Sequence, residues 1–344
     1  KMYGVGKMPG GFLRREGRPG NSAILNARLI DRPIRPLFDK RCRHDVHVVA
    51  TVLSVEQDNA PELCGMLGAS ASLAISNIPW DGPIAGVRVG CVDGQYVINP
   101  TQEQLAASSM NITVAGSETA ILMVEGGAKE VPEEQVLDAI MFGHEAIKKL
   151  VAFQKQIVAE AGKPKMELVF PEIPADIEQA IHDYAAGPLK DAIFNPDKLT
   201  REAHMAEVRK EAEEHFKEIY PDNAADVDAC LDHLTKSIVR HMISVDKIRP
   251  DGRALDEIRP ITCEVGLLPR VHGSALFTRG QTQALTITTL APMSETQIID
   301  DLTTIKEKRY IHQYNFPSYS VGETKGSRGP GRREIGHGAL AERA

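Results

Sequence analysis

The feature that most restricts the fold is a change of character between residues 166 and 246. This segment has acidic, alanine-rich helical patterns and almost no strand signal. On both sides of it, β-branched runs and turn signals predict strands mixed with helices. We therefore predict an α/β chain of the α+β type, in which two mixed domains are joined by an all-helical domain. The three segments are placed at residues 1–165, 166–246 and 247–344.

A short repeat relates the two mixed regions. Tyr3-Gly4-Val5-Gly6 precedes Arg14-Arg15-Glu16, and Tyr319-Ser320-Val321-Gly322 precedes Arg332-Arg333-Glu334. The spacing from tyrosine to arginine is 11 residues in the first copy and 13 in the second, and a helix-like segment follows each. A match of this length can arise by chance. Its position on both sides of the helical insert nevertheless predicts a duplicated domain.

Several strands are predicted from local pattern. The β-branched run 46–55 is typical of a buried strand. Asp93-Gly94 is a hairpin turn signal between residues 87–92 and 95–98. Further strands are expected at 119–125 and, in the second mixed region, at 274–278 and 283–290 around a turn at Arg279-Gly280.

Proline and glycine indicate where helices begin and end. Pro61 is expected to open a helix in which Gly65 and Gly68 allow close packing against a sheet. A long amphipathic helix is predicted from Pro132 to Gly162. Within the acidic segment, interruptions are expected at four prolines: Pro174, Pro188, Pro196 and Pro221.

The charge distribution indicates a polyanionic ligand, although the net charge of −7 does not. Residues 7–43 carry ten basic and three acidic groups, whereas residues 166–246 carry eight basic and eighteen acidic groups. A basic segment on an acidic protein creates a local field suited to a polyanion. No run of eighteen apolar residues is present, so we expect no membrane-spanning helix and no membrane partner.

Cysteine spacing argues against a structural metal or a disulfide framework. The five cysteines are far apart and form no Cys-x-x-Cys pair, which indicates reduced thiols in a cytosolic setting. They are Cys42, Cys64, Cys91, Cys230 and Cys263.

The densest basic cluster lies in a loop bounded by glycine and proline. Phe12, Arg14, Arg15 and Arg18 combine guanidinium forks, which match phosphate oxygens, with a ring that can stack on any base. This combination is suited to single-stranded RNA. The alternative is a solvated basic loop with Phe12 tucked into the core.

A second basic row is expected behind this loop. Asn21-Ser22 is predicted to cap a helix ending near Asp31, and Arg28 and Arg32 share one face of it. Pro33 and Pro36 are expected to stop the helix and to hold Arg35 in an extended segment. In the alternative interpretation, Arg32 forms a structural salt bridge with Asp31, Asp39 or a domain partner.

The second constellation comprises Arg332, Arg333 and His337, which stand among three glycines after a loop over residues 325–330. Glycines allow close approach to an anion, and the histidine can hold phosphate or donate a proton. A structural histidine is the alternative. Asp300-Asp301 is interpreted as solvated or capping. Neither constellation contains a carboxylate pair able to hold Mg²⁺, and no covalent nucleophile with a paired base is seen.

Several of these stretches resemble the bacterial polynucleotide phosphorylase family. The first RNase PH-type core of that family is matched by Phe-Leu-Arg-Arg-Glu-Gly-Arg-Pro and by Ala-Arg-Leu-Ile-Asp-Arg-Pro-Ile-Arg-Pro-Leu-Phe, over residues 12–19 and 27–38. The second core is matched over residues 272–280, 314–324 and 332–338. The similarity covers nearly the whole chain.

The resemblance implies a fold, a reaction and partners. It implies two RNase PH-like (ribosomal protein S5 domain 2-like) domains joined by a helical domain, in a cytoplasmic ring-shaped homotrimer with degradosome components as possible partners. The implied activity is that of a polyribonucleotide nucleotidyltransferase: a phosphate-dependent 3′-to-5′ exoribonuclease acting in mRNA degradation, with inorganic phosphate as co-substrate and Mg²⁺ as cofactor. An RNA-binding, non-catalytic ring subunit of an exosome-like complex, or a helical interaction module, is the alternative.

The resemblance also assigns roles to residues. Phe12, Arg14, Arg15 and Arg18 would contact RNA in a channel, and Arg28, Arg32 and Arg35 would form the basic surface of the first core. Arg332, Arg333 and His337 would border the active site. Many members carry two phenylalanines before the arginine pair, where this chain has Phe12-Leu13. We expect a piece of a longer polypeptide, with both cores incomplete, metal-binding aspartates beyond Ala344, and no activity by itself.

Overall fold

A computed structural model describes residues 1–10, 12–170, 172–326 and 329–343. Gly11 of the predicted basic loop, and Ser327 and Arg328 of the loop at 325–330, lie outside the described residues. Contacts within the chain define two compact units, Lys1–Val169 with Ala291–Ala344, and Phe170–Leu290. Each unit has its own buried core.

The first unit contains a four-stranded antiparallel sheet. Its strands are β1 (Ala85–Val92), β2 (Gln95–Ile98), β3 (Met110–Gly116) and β4 (Ile121–Ala128), in the order β2-β1-β3-β4. Asp93 and Gly94 have φ of 50° and 78°, as a two-residue hairpin turn requires, so the predicted hairpin is confirmed. The strand predicted at 119–125 is β4, which begins two residues later.

Four helices accompany this sheet: α1 (Asn21–Ile34), α2 (Pro61–Ile75), α3 (Gln102–Ala107) and α4 (Glu133–Ala161). The predictions for Pro61 and for the Pro132–Gly162 helix are confirmed. Ile147 and Val151 of α4 are buried with the inward side chains of β1 and β3. Gly143 allows this approach, because a Cβ there would lie 2.9 Å from Val89 Cγ2.

The two glycines of α2 differ. A Cβ at Gly65 would lie 3.2 Å from Ile30 Cδ1, so this glycine does mark a close contact, but with α1. Nothing lies within 4 Å of the Cβ position of Gly68, and the packing role predicted for it is wrong.

Helix α1 is longer than predicted. It begins after Gly20, which makes no side-chain cap, and continues through Pro33 to Ile34. Arg35 is helical, with φ −58° and ψ −42°, and starts a 3-10 turn over Arg35–Leu37, so the extended conformation predicted for it is wrong. The helix is held by tertiary contacts, since Ile34 is buried and its carbonyl accepts the Trp80 indole N–H at 3.0 Å.

The buried strand predicted over residues 46–55 is also wrong. The segment has no strand assignment, and Val46, Val49 and Leu53 are exposed. β-Branched side chains favour extended backbone, but a strand also needs a neighbour to pair with. Among the described residues, the segment's bonds to other backbone are Val55 N–H to the Gly4 carbonyl and the Lys1 ammonium to the Val52 carbonyl.

The second unit contains the helices of the acidic segment. They are α5 (Ala175–Ile193), α6 (Lys198–Ile219) and α7 (Ala224–Ser244), packed around Ile181, Leu189, Phe216 and Leu231. Pro188 lies inside α5 and does not interrupt it. Pro188 is exposed, and it removes one backbone hydrogen bond from α5 without ending the helix.

The same unit contains a three-stranded antiparallel sheet of β5 (Ile261–Val265), β6 (Gly273–Arg279) and β7 (Thr282–Thr288). The predicted hairpin is confirmed, and its turn uses Gly280 with φ 60°. No helix in the described part of the chain is both long enough and apolar enough to cross a membrane.

Residues 291–344 belong to the first unit and contribute β8 (Gln297–Ile298), β9 (Glu307–Lys308) and α8 (Arg332–Arg343). The sequence repeat corresponds to repeated local structure. Met2–Val5 and Ser318–Val321 are both 3-10 helices, and each ends at a left-handed glycine, Gly6 with φ 69° and Gly322 with φ 72°. Helices α1 and α8, which follow the two copies, pack against each other.

Candidate functional site

A cavity of about 1500 Å³ in the first unit brings together arginines from both copies of the repeat. Arg15 and Arg18 come from the loop after the first 3-10 helix, Arg28 and Arg35 from α1 and the turn after it, and Arg332 from the start of α8. The clustering is a tertiary effect, because α1 and α8 are far apart in sequence. A cavity lined in this way offers several guanidinium groups to one anion.

Arg28 and Arg332 are brought close by the packing of α1 on α8. A Cβ at Gly336 would lie 2.4 Å from Arg28 Nε and 2.7 Å from Arg28 Cζ, so the guanidinium lies directly against the helix backbone. Arg332 is one helical turn before Gly336 and therefore on the same face of α8. The glycine predicted to allow an anion to approach thus allows an arginine to approach.

Four of the cavity arginines have free guanidinium groups within the described part of the chain. No hydrogen bond or ion pair joins Arg15, Arg18, Arg28 or Arg332 to another described residue. Arg28 is half-buried, and the other three are exposed. A half-buried cation without a counter-ion favours binding of an anion.

Glu334 holds the start of α8 in place. Its carboxylate accepts the backbone N–H of Gly331 at 2.7 Å and that of Phe316 at 2.8 Å. These two bonds lower the pKa of Glu334 below its ordinary value. The carboxylate closes the loop between residues 316 and 331 and fixes the turn that presents Arg332.

Glu16 is the counterpart of Glu334 in the first copy. It accepts the N–H of Met2 at 2.6 Å, and its other oxygen lies 2.7 Å from the Lys1 ammonium. The Lys1 hydrogen bond first, and the Met2 bond second, lower the pKa of this carboxyl. In both copies, then, the glutamate of Arg-Arg-Glu binds the backbone near the 3-10 helix and leaves the arginines free.

Phe12 is fully exposed, so the alternative that placed it in the core is wrong. Arg14 lies in a turn and has a positive φ of 49°. Its side chain forms no hydrogen bond or ion pair with another described residue. Neither residue lines the cavity. They project from the loop that contributes Arg15 and Arg18 to it.

Arg333 and His337 do not line the cavity either. His337 is exposed, and its ring packs edge-on against Tyr314 with centroids 5.3 Å apart. Gly338, the next residue, is buried against the same tyrosine: a Cβ added there would lie 3.4 Å from the Tyr314 nitrogen, an ordinary contact distance.

Arg32 and Arg35 have carboxylate partners. Arg32 Nη1 lies 2.7 Å from Glu125 Oε2 on β4, and Arg35 pairs with Asp31. The salt-bridge interpretation of Arg32 named a domain partner as one possibility, and Glu125 is such a residue. Sequence reasoning did not single out Glu125 or its second partner Arg343, whose Nη1 lies 2.9 Å from Glu125 Oε1, because nothing in the sequence links such distant positions.

Asp300 and Asp301 lie at the edge of the cavity and do not fit a metal ion. Asp301 accepts hydrogen bonds from Ser22 Oγ and from the backbone and hydroxyl of Thr303, and Lys7 Nζ lies 3.7 Å from Asp300. Burial opposes ionisation of Asp301, but the Ser22 and Thr303 bonds prevail and lower its pKa. Within the described ranges, no group of three or more His, Cys, Asp or Glu side chains is placed to hold a metal.

Comparison with known proteins identifies these elements. The description "3′ exoribonuclease family, domain 1" matches residues 2–79 and again 257–344, and domain 2 of that family matches 82–146. The description "Polyribonucleotide nucleotidyltransferase, RNA binding domain" matches residues 176–254. The double match agrees with the predicted duplication, with a helical domain between the copies.

Curated relatives match the entire chain. Polyribonucleotide nucleotidyltransferases are 58% identical over 344 residues in Heliobacterium modesticaldum, 56% over 344 in Syntrophomonas wolfei and 56% over 352 in Listeria welshimeri. Each alignment covers 100% of this chain and 48%, 49% and 48% of the respective relative. The chain thus spans about half the length of the curated relatives it matches.

The matches to both domains of the 3′ exoribonuclease family, with domain 1 matched twice, place the chain in that family. Within it, the chain belongs to the polyribonucleotide nucleotidyltransferase family.

Proposed function

We propose that this chain provides the RNA approach and part of the phosphate site of a polyribonucleotide nucleotidyltransferase. The proposed enzyme removes nucleotides from the 3′ end of single-stranded RNA with inorganic phosphate and releases nucleoside diphosphates, in cytoplasmic mRNA degradation. The observation that carries the proposal is the cavity in which arginines from both copies of the repeat meet. The names of the relatives support the same reaction.

The chemistry explains why arginines are needed. Phosphate must attack the phosphorus of the 3′-terminal phosphodiester, and both reactants are anions that repel each other. Guanidinium groups in a half-buried site neutralise that repulsion and stabilise the charge that builds up on the transferring group. We assign Arg28 and Arg332 to the anions in the cavity, and Arg333 and His337 to its border.

The exposed loop has a different proposed role. Phe12 and Arg14 project from it, whereas Arg15 and Arg18 line the cavity. An exposed ring stacks on a base irrespective of sequence, and arginines follow the phosphate backbone. We propose that this loop guides single-stranded RNA towards the cavity. Arg32 and Arg35, whose guanidinium groups are paired with Glu125 and Asp31, support the basic surface indirectly through these ion pairs.

The cofactor and the assembly remain part of the proposal. The family resemblance implies Mg²⁺, which would stabilise charge as the bond breaks. Within the described chain, no group of three or more His, Cys, Asp or Glu side chains is placed to hold this ion. A homotrimer and degradosome components are likewise proposed from the resemblance.

The test of the reaction is a product assay. The full-length protein is incubated with poly(A), with and without inorganic phosphate and Mg²⁺, and the nucleotides are separated by chromatography. We expect nucleoside diphosphates only when both are supplied. Nucleoside monophosphates released without phosphate would contradict the proposal. RNA binding with no nucleotide release would instead favour the non-catalytic ring subunit.

The role of the loop is tested by charge removal. Arg14, Arg15 and Arg18 are changed together to alanine, and RNA affinity is measured over a range of salt concentrations. We expect weaker binding and a flatter salt dependence, because fewer counter-ions are released on binding. In the matched control, three lysines of the helical unit are changed together to alanine: Lys210, Lys217 and Lys236. Equal losses in both variants would show that the loop has no special role.

A further inference from the structure

One carboxylate joins the two helices that carry the cavity arginines. Glu125 lies on β4, with a side chain only 19% exposed. Its Oε2 lies 2.7 Å from Arg32 Nη1 on α1, and its Oε1 lies 2.9 Å from Arg343 Nη1 at the end of α8. Each oxygen therefore binds a different helix.

This bridge bears directly on the cavity because α1 and α8 form part of its wall. Arg28 is one helical turn before Arg32 on α1, and its guanidinium contacts α8 at Gly336. Arg332 is one turn before Gly336 on α8. The placement of α1 against α8 thus determines how far apart the guanidinium groups of Arg28 and Arg332 lie.

Helix α8 packs directly on α1, but its hydrogen bonds through Glu334 and Glu342 join it only to its own segment. Glu334 binds the backbone of residues 316 and 331 at one end of the helix. At the other end, Glu342 accepts from Lys308 Nζ at 2.6 Å and from the His312 N–H at 3.1 Å. The ion pairs that tie α8 to α1 in the described chain pass through Glu125.

We propose that Glu125 is a positioning residue for phosphate binding: by bridging Arg32 and Arg343, it holds α1 against α8 so that Arg28 and Arg332 engage the same phosphate group. Glu125 itself touches neither RNA nor phosphate. This inference rests on the proposed function, because it names the arrangement that gives the cavity its affinity for phosphate.

The physical reason is the balance of charge at the junction. An exposed ion pair contributes little, but Glu125 is largely buried and serves two arginines at once. Without its charge, Arg32 and Arg343, whose side chains are 40% and 44% exposed, would lose the one carboxylate that both of them bind. Their repulsion would move the ends of α1 and α8 apart, and Arg28 away from Arg332.

The experiment uses the full-length protein and the variant Glu125→Gln, which preserves size and removes the charge. Binding of inorganic phosphate is measured by calorimetry, and KM for phosphate and kcat are measured with poly(A). We expect phosphate affinity to fall and its KM to rise about tenfold, by analogy with the lower end of the loss caused by removing a residue that supports a metal ligand. We expect kcat at saturating phosphate to change less.

The matched control is Glu118→Gln. Glu118 makes an exposed ion pair with Lys155, and no hydrogen bond or ion pair joins it to α1 or α8 within the described residues. Its phosphate affinity should equal that of the wild type. A second variant, Arg343→Gln, tests the bridge from the other side without altering β4, and combining it with Glu125→Gln should add little further loss, since one interaction is removed in each.

The results decide between a positioning role and a purely structural one. Unchanged phosphate affinity in Glu125→Gln, a lower kcat with unchanged phosphate affinity, or fully additive losses in the double variant would each overturn the inference. A wild-type protein that binds no phosphate would overturn it as well. If the wild type binds phosphate but releases no nucleoside diphosphate, the proposed function is wrong. The phosphate affinities measured by calorimetry would still test the role of Glu125.

Discussion

Replacing Gly336 with alanine separates the contribution of Arg28 to binding from its contribution to the fold. The new Cβ would lie 2.4 Å from Arg28 Nε and 2.8 Å from Arg28 Nη2. Ordinary contact needs about 3.5 Å, so the guanidinium must retreat by about 1 Å. Because a guanidinium is the far end of a flexible side chain, it can yield without moving α8.

The expected effects on stability and binding have opposite signs. Alanine is favoured over glycine inside a helix by about 1 kcal/mol, so the fold should be as stable as the wild type or slightly more stable. Displacing Arg28 removes one charge-assisted hydrogen bond to the anion, worth about 1.5–3 kcal/mol. Phosphate affinity should therefore fall by about 10- to 100-fold.

The assay pairs urea unfolding with phosphate calorimetry on the full-length protein. Gly338→Ala is the matched control on the same helix, because its Cβ would be 3.4 Å from the nearest atom and would not meet Arg28. It should gain a similar helix propensity and retain phosphate affinity. Wild-type phosphate affinity in Gly336→Ala would refute the assignment of Arg28, and a large loss of stability would refute the argument that the guanidinium yields.

Two further predictions concern the elements that shape the cavity. The pKa of Glu334 is lowered below its ordinary value of 4.5, so the stabilisation by its carboxylate is complete above that value and is lost as pH falls through the lowered pKa. Glu334→Gln should therefore unfold at a higher pH than the wild type in an acid titration followed by circular dichroism, and coincident curves would contradict this. Trp80→Phe removes the bond to the Ile34 carbonyl and should cost about 1–2 kcal/mol in urea unfolding. Circular dichroism is needed because Trp80 is the sole tryptophan, and an unchanged midpoint would show that this bond does not hold the end of α1.

Elements that depend on local chemistry were predicted well. The Asp93-Gly94 hairpin needs positive φ at both turn positions, and the helix from Pro132 to Gly162 has a clear start and stop. The repeat around Tyr3 and Tyr319 recurs as two 3-10 helices with left-handed glycines. In each case, the residues that determine the conformation are neighbours in sequence.

Predictions that depend on distant partners were wrong. Residues 46–55 have strand-forming side chains but no paired neighbour among the described residues. Pro33 does not end α1, because the indole of Trp80 and the burial of Ile34 hold the following turn. Local propensity is a weak determinant when tertiary contacts oppose it.

The same distinction between local sequence and distant contacts applies to the candidate site. Its chemistry is legible in the local sequence, because arginines and an aromatic ring in glycine-bounded loops point to RNA and phosphate. Tertiary structure decided which of them meet. Packing of α1 on α8 brings Arg28 and Arg332 into one cavity, leaves Phe12 exposed outside it, and gives Arg32 to Glu125. The physical reason is that residue type fixes the chemistry of a side chain, whereas its neighbours and counter-ions depend on how distant helices pack.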